Sequence, residues 1–232
     1  MKAAAVVAIL ISTNSYAQCP RIQLTAYIDY NTSARIYPSP YDIDPIIRSS
    51  YSDLNGFISF GGEIRALFSR SNSLGTTFQI MASRQQTRTI YGYDPNGNYV
   101  SVPIYDGFHL TLFEFNGYFN LPLGGEKWRI YLGGGPALYF GKRDYEIGNA
   151  KATTTTSTNF GIQVETGVEY KIASSIGFRG EMKFRSPQFN STAIFKQGST
   201  TYNNLTISLP PLSVARINVN GTDFTLGIFV EI

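Results

Sequence analysis

The chain has 232 residues, with 16 Tyr, 16 Phe and 22 Gly but only one His, one Trp and one Cys, and a net charge of +3. So small and evenly spread a charge excludes a nucleic-acid-binding surface, and the lone cysteine and histidine exclude an internal disulfide and a zinc centre with the usual ligands. Past the N-terminus no segment carries 18 consecutive apolar residues, which excludes a helical membrane span.

The first element is a leader. Met1-Lys2 precedes an apolar run from Ala3 to Ile11, a polar Ser12-Thr13-Asn14 and then Ser15-Tyr16-Ala17. This layout predicts a signal peptide over 1–17, too short to span a bilayer, with the exported chain starting at Gln18. Cys19 follows Gln18 rather than a small residue, so cleavage after Ala17 is expected rather than lipidation. Residues 18–232 suffice for one domain.

From there almost every apolar segment alternates with period two, which predicts an all-β chain. The first strand places Ile22, Leu24, Ala26, Ile28 and Tyr30 on one face and Gln23, Thr25, Tyr27 and Asp29 on the other. A second sets Ile58, Phe60, Ile64 and Phe68 against Ser59, Glu63 and Arg65, and a third sets Phe78 and Ile80 against Thr77 and Gln79. The fourth carries Phe113, Phe115 and Phe119 opposite Glu114 and Asn116; above it, near Thr111, the apolar parity slips, which predicts a β-bulge. Strands led by Trp128, Phe160 and Ile176 follow, and the last runs from Phe224 to Ile232, making eight.

The connections alternate in length. Short ones fall at 70–74, 122–127 and 173–175, and long ones at 31–56, 89–106, 142–158 and 188–212. An up-and-down barrel in the outer membrane has this asymmetry, with tight periplasmic turns, long external loops and both termini in the periplasm. Asp94-Pro95-Asn96-Gly97 reads as a turn, so strands three and four are expected to continue as a hairpin above the membrane. Pro38, Pro40 and Pro45 predict an irregular first loop, and the run from Thr153 to Thr158 a mobile one.

Alternation alone does not say which face is the lumen, and a soluble lipocalin-like barrel would be apolar inside. Runs of about ten residues rich in Phe, Ile, Leu and Val fit a lipid-facing band. The opposite face mixes Gly and Ser with long charged side chains. Its acids Glu63, Glu114, Glu165, Glu169, Glu181 and Glu231 balance its bases Arg65, Arg129, Lys171, Arg179, Lys183 and Arg185. Eight strands enclose a space that side chains can fill, so a balanced set predicts an ion-paired, plugged interior. The expected architecture is an eight-stranded antiparallel up-and-down transmembrane β-barrel.

The C-terminal segment Thr225-Leu226-Gly227-Ile228-Phe229-Val230-Glu231-Ile232 resembles the terminal-strand signal of outer-membrane barrels, with Thr225, Gly227, Val230 and Ile232 in the characteristic places and Ile232 where an aromatic is usual. The stretch from Leu112 through Tyr118 and Leu121-Pro122-Leu123 to Gly133-Gly134-Gly135-Pro136 looks like the strand-turn-strand unit of small barrels of the OmpA and OmpX type. The resemblance implies location in the cell outer membrane, contact with its lipid, and the barrel assembly machinery as a partner.

Catalytic chemistry finds little support. Gly133-Gly134-Gly135-Pro136 lacks the Lys-Ser/Thr of a phosphate loop and reads as strand glycine. His109 and Thr111 share a side of strand four, the spacing of a His-hydroxyl pair in a lipid-modifying enzyme, but Asp106 and Glu114 fall on the opposite parity. No cofactor or metal is expected. The reading is a non-enzymatic barrel serving envelope structure or surface binding, with an extracellular ligand at loops bearing Tyr37, Tyr41, Tyr51, Tyr91, Tyr93, Tyr99 and Tyr105. A narrow solute channel, a lipid-modifying enzyme and a soluble ligand-binding barrel are the alternatives.

Overall fold

The computed structural model describes residues 21–123, 125 and 127–232. The leader expected over 1–17, and Cys19, lie outside the described residues. The elements are β1 (Arg21–Tyr37), α1 (Pro45–Ser49), β2 (Ser52–Leu67), β3 (Asn72–Tyr93), β4 (Tyr99–Asn120) and β5 (Trp128–Ile147), then the short β6 (Ala150–Lys151) and β7 (Thr153–Thr154). They continue with β8 (Thr156–Lys171), β9 (Ile176–Arg185), β10 (Gln188–Ile194), β11 (Ser199–Tyr202), β12 (Leu205–Ser208), β13 (Leu212–Asn218) and β14 (Thr222–Glu231).

Eight staves close into a ring. The order is β14-β9-β8-β5-β4-β3-β2-β1, each antiparallel to its neighbour, and β14 pairs with β1 from Gln23↔Glu231 to Asn31↔Asp223. Closure leaves no open sheet edge, the condition for strands to cross hydrocarbon. Past Pro187, β10 continues the line of β9; β13 leads into β14, and β10 and β13 pair above the ring. As the sequence predicted, this is an all-β, up-and-down barrel.

The outer surface is apolar. Leu226 is 74% exposed, Ile162 71% and Phe60 64%, values that water would penalise and lipid accepts. Trp128, beside the short turn before β5, packs on Tyr170 with ring centroids 4.5 Å apart, an aromatic pair suited to the membrane boundary. Inward-facing aromatics lock register by lying over glycine on the next stave. A Cβ on Gly61 would fall 2.4 Å from the ring of Tyr27, its register partner, and one on Gly167 equally close to Tyr131.

Strands run well beyond the membrane. A crossing needs roughly 9–11 residues, whereas β3 and β4 have 22 each. Much of the length expected as loop is therefore strand. Tyr37, Tyr91, Tyr93, Tyr99 and Tyr105 lie on β1, β3 and β4 rather than in loops. The β3–β4 hairpin turns through Asp94, whose carboxylate accepts from the backbone N–H groups of Asn96 and Asn98 at 2.9 and 2.7 Å, with Gly97 at φ +81. Hydrogen bonds from the Asn98 side chain and then its backbone hold the Asp94 carboxyl below the usual range.

Two expectations are corrected and one, the irregular first loop, is refined. The run expected to be mobile is paired: β7 lies against β10 through Thr154↔Ala193 and Thr153↔Ile194, and Thr155 N–H donates to Thr192 O at 3.0 Å. The proline-rich first loop contains one helical turn, capped by the Asp44 carboxylate, which accepts from Ile46 N–H at 2.8 Å. Near Thr111 there is no bulge; the register of β3 against β4 shifts between Gln86 and Arg88 instead. Inward positions of β4 keep one parity from Val100 through Phe108, Leu110 and Leu112 to Glu114 and Tyr118. The strand does not slip; the lumen above Glu114 is apolar, so the apolar residues change face while the parity holds.

Candidate functional site

The interior is built in layers. In the lower half, nearest the short turns, parity aims the polar face of every stave inward. Glu63 accepts from Arg65 Nε at 2.6 Å, Arg179 Nη1 at 2.9 Å and the Tyr118 hydroxyl at 2.6 Å. Glu169 accepts from Arg179 Nε at 3.0 Å and stands 2.5 Å from Arg129 Nη2. Glu181 accepts from the Tyr131 hydroxyl and lies 3.4 Å from Lys183 Nζ, which in turn sits 3.2 Å from Glu165.

Glu114 accepts from Arg185 Nη1 at 2.8 Å. Glu231 contacts Arg129, and Lys171 Nζ at 2.6 Å. The twelve charged residues singled out in the sequence thus lie in one connected network. The guanidinium of Arg65 also stacks over the Tyr118 ring at 3.4 Å.

Two further carboxylates join it. Asp29 accepts from Gln79 Nε2 at 2.8 Å and Thr225 Oγ1 at 2.7 Å, and Asp223 pairs with Arg185 and accepts from Asn31. They raise the count to eight carboxylates against six bases, so the balance of six against six was incomplete. The signal was available: Asp29 lies between outward Ile28 and Tyr30, and Asp223 precedes outward Phe224. Oxygens of Glu63, Glu165 and Glu181 lie within 4.8 Å of one another, but Arg65, Arg179 and Lys183 already stand against them, and their cations take the place a metal ion would occupy.

Above Glu114 the lumen turns apolar. Ala34, Ile36, Leu54, Met81, Phe108, Leu110, Leu112, Phe189 and Ile217 form one buried cluster, with Phe57 edge-on to Phe108 at 5.4 Å. Each fully buried Leu, Ile, Met or Phe side chain among them contributes about 1.5–3 kcal/mol relative to exposure in water. Over it Arg143 donates to both oxygens of Asp106, at 2.7 and 2.5 Å, and to Ser213 Oγ at 3.0 Å. Beyond that ion pair, Val100, Val102, Ile104, Ile147, Ala193, Phe195 and Leu209 form a second apolar cluster outside the lipid band.

The remaining sequence-predicted residues separate. Thr225 is buried against Asp29 and Gly227 sits under Tyr27, whereas Val230 and Ile232 face outward. His109 is exposed on the outer face, while Asp106 and Glu114 are buried on the inner one, so no His-hydroxyl-carboxylate set is assembled there. Tyr91, Tyr93 and Tyr99 make an exposed aromatic patch on the β3–β4 hairpin, Tyr91 stacked on Tyr99 at 5.7 Å and Tyr93 edge-on to it at 5.8 Å.

No family model matches the chain, and no curated protein matches its sequence. Among solved structures, the outer membrane protein OprG from Pseudomonas aeruginosa is similar with a TM-score of 0.61, at 8% identity, over 92% of this chain and 96% of its own. The N-terminal β-barrel domain of Pseudomonas aeruginosa OprF has a TM-score of 0.46 at 9% identity, over 92% of this chain and 98% of its own. Neisserial surface protein A has a TM-score of 0.43 at 12% identity, over 91% and 97%. The likeness to OprG is one of fold, and with the apolar exterior it makes this chain a small β-barrel of the outer-membrane kind.

Proposed function

We propose that this chain is a non-enzymatic outer-membrane barrel, closed by its own side chains, that works by binding at its extracellular end. The observation that carries the reading is the second apolar cluster around Val102, Phe195 and Leu209. It makes the part above the lipid a folded β-structure rather than a set of loose loops, and rigid scaffolds are where binding surfaces are commonly held. On that scaffold the patch of Tyr91, Tyr93 and Tyr99 lies beyond the lipid band, where aromatic exposure gains nothing from the membrane.

The filled interior supports the same reading, because a conducting role would require the Arg143–Asp106 pair, the apolar plug and the charge network all to move. The outward Val230 and Ile232 of β14 support recognition by the barrel assembly machinery. The test is surface display on a non-adherent bacterial host, scored by retention on host cells and extracellular matrix. Retention by the wild type that falls to the empty-vector level in Tyr91→Ala/Tyr93→Ala/Tyr99→Ala, with equal folded barrel on the surface, is expected. Retention unchanged in the triple variant would contradict the reading.

A further inference from the structure

On the outward face just above the lipid band, His109 of β4 and Lys142 of β5 are register partners, and both are exposed. Cβ atoms of such partners lie roughly 4.5–5.5 Å apart, so the two side chains reach a common point. Ala82 and Thr156 flank them on β3 and β8. The row beneath carries Thr111, Phe140 and Thr158, and under it the Phe113 ring packs against Phe78 at 5.1 Å and Phe140 at 6.1 Å.

The charges around this row are already engaged. Arg84, one outward step higher, donates to Glu146 at 2.6 Å, and Lys151 stands 3.0 Å from Asp144. Among the described residues neither Lys142 nor His109 has an ion-pair partner. The surface therefore has two parts: a free ammonium with imidazole and hydroxyl donors above, and a continuous aromatic apron below. A free anion would use the first alone; a ligand matching both carries a phosphate and an acyl chain.

We propose that His109, Lys142 and Thr111 hold the phosphate of a phosphorylated, acylated lipid of the outer leaflet, whose chain lies along Phe140, Phe113 and Phe78. Charge complementarity and continuity with the lipid-facing band select a lipid. The site depends on the barrel's place in a membrane and not on what its extracellular end binds.

The test is native mass spectrometry of the folded barrel in dodecyl maltoside micelles. The probes are a bisphosphorylated, hexa-acylated glucosamine disaccharide lipid, the same lipid without its phosphates, and phosphatidylcholine. Preferential retention of the phosphorylated lipid is expected, weakened roughly fivefold by Lys142→Gln, abolished in His109→Gln/Lys142→Gln, preserved in Lys142→Arg and unaffected by Lys151→Gln. Folding of each variant is read from its heat-shifted gel band. Equal retention of the dephosphorylated lipid, a preference that survives the double substitution, or complete displacement by millimolar inorganic phosphate would overturn the proposal.

Discussion

At the scale of single residues, the lower lumen depends on each buried charge keeping its partners. Arg179 is shared by Glu63, Glu169 and Glu181, and a buried pair that loses one member leaves an uncompensated charge. Arg179→Ala should therefore lower the unfolding free energy by about 3–5 kcal/mol in urea titration of the barrel in lipid vesicles. A loss below about 1 kcal/mol would show that the charges are hydrated rather than mutually paired. Glycine under aromatic makes a second residue-scale prediction. Gly61→Ala drives a Cβ into the Tyr27 ring and should cost about 1–3 kcal/mol. Gly117→Ala, whose Cβ would meet only Leu74 at 3.8 Å, should stay within about 0.5 kcal/mol in the same titration.

At the scale of elements, period-two alternation made all eight staves and their outward faces legible, because a lipid-facing band imposes one rule along every strand. The rule misled where its premise failed. Equating apolar with outward makes the segment near Thr111 look like a slip of parity, yet Phe108, Leu110 and Leu112 fill the lumen at unchanged parity. Phe108→Ala should accordingly behave as a core truncation, costing about 3–5 kcal/mol, whereas an outward residue would lose little. Nor did composition distinguish Thr153–Thr154 from a mobile tract, because its order comes from pairing with β10, about forty residues away in sequence. The twelve network residues could be named from parity, but which acid meets which base depends on the closure and stagger of the ring, which no local pattern encodes. On β14, Ile232→Phe restores the usual terminal aromatic and should raise the heat-modifiable folded fraction on expression; an unchanged fraction would argue against recognition through that residue.

At the scale of the whole molecule, three interior layers stand in series from the short turns to the extracellular end: a charge network, an apolar plug capped by Arg143 and Asp106, and a second apolar cluster above the lipid. Ion pairing fills the bore at the bottom and apolar packing fills it twice above, so no single rotamer change opens a path. The layers also divide the labour. The lower two close the barrel, and the upper one holds the strands that present Tyr91, Tyr93 and Tyr99. Because a filled bore is what separates the binding role from a channel, the most direct test is single-channel recording in planar bilayers, on material whose heat-shifted gel band shows it to be folded. The account predicts a quiet trace, with no unitary steps for the wild type under either polarity. Reproducible wild-type openings would contradict the filled lumen and make this barrel a channel.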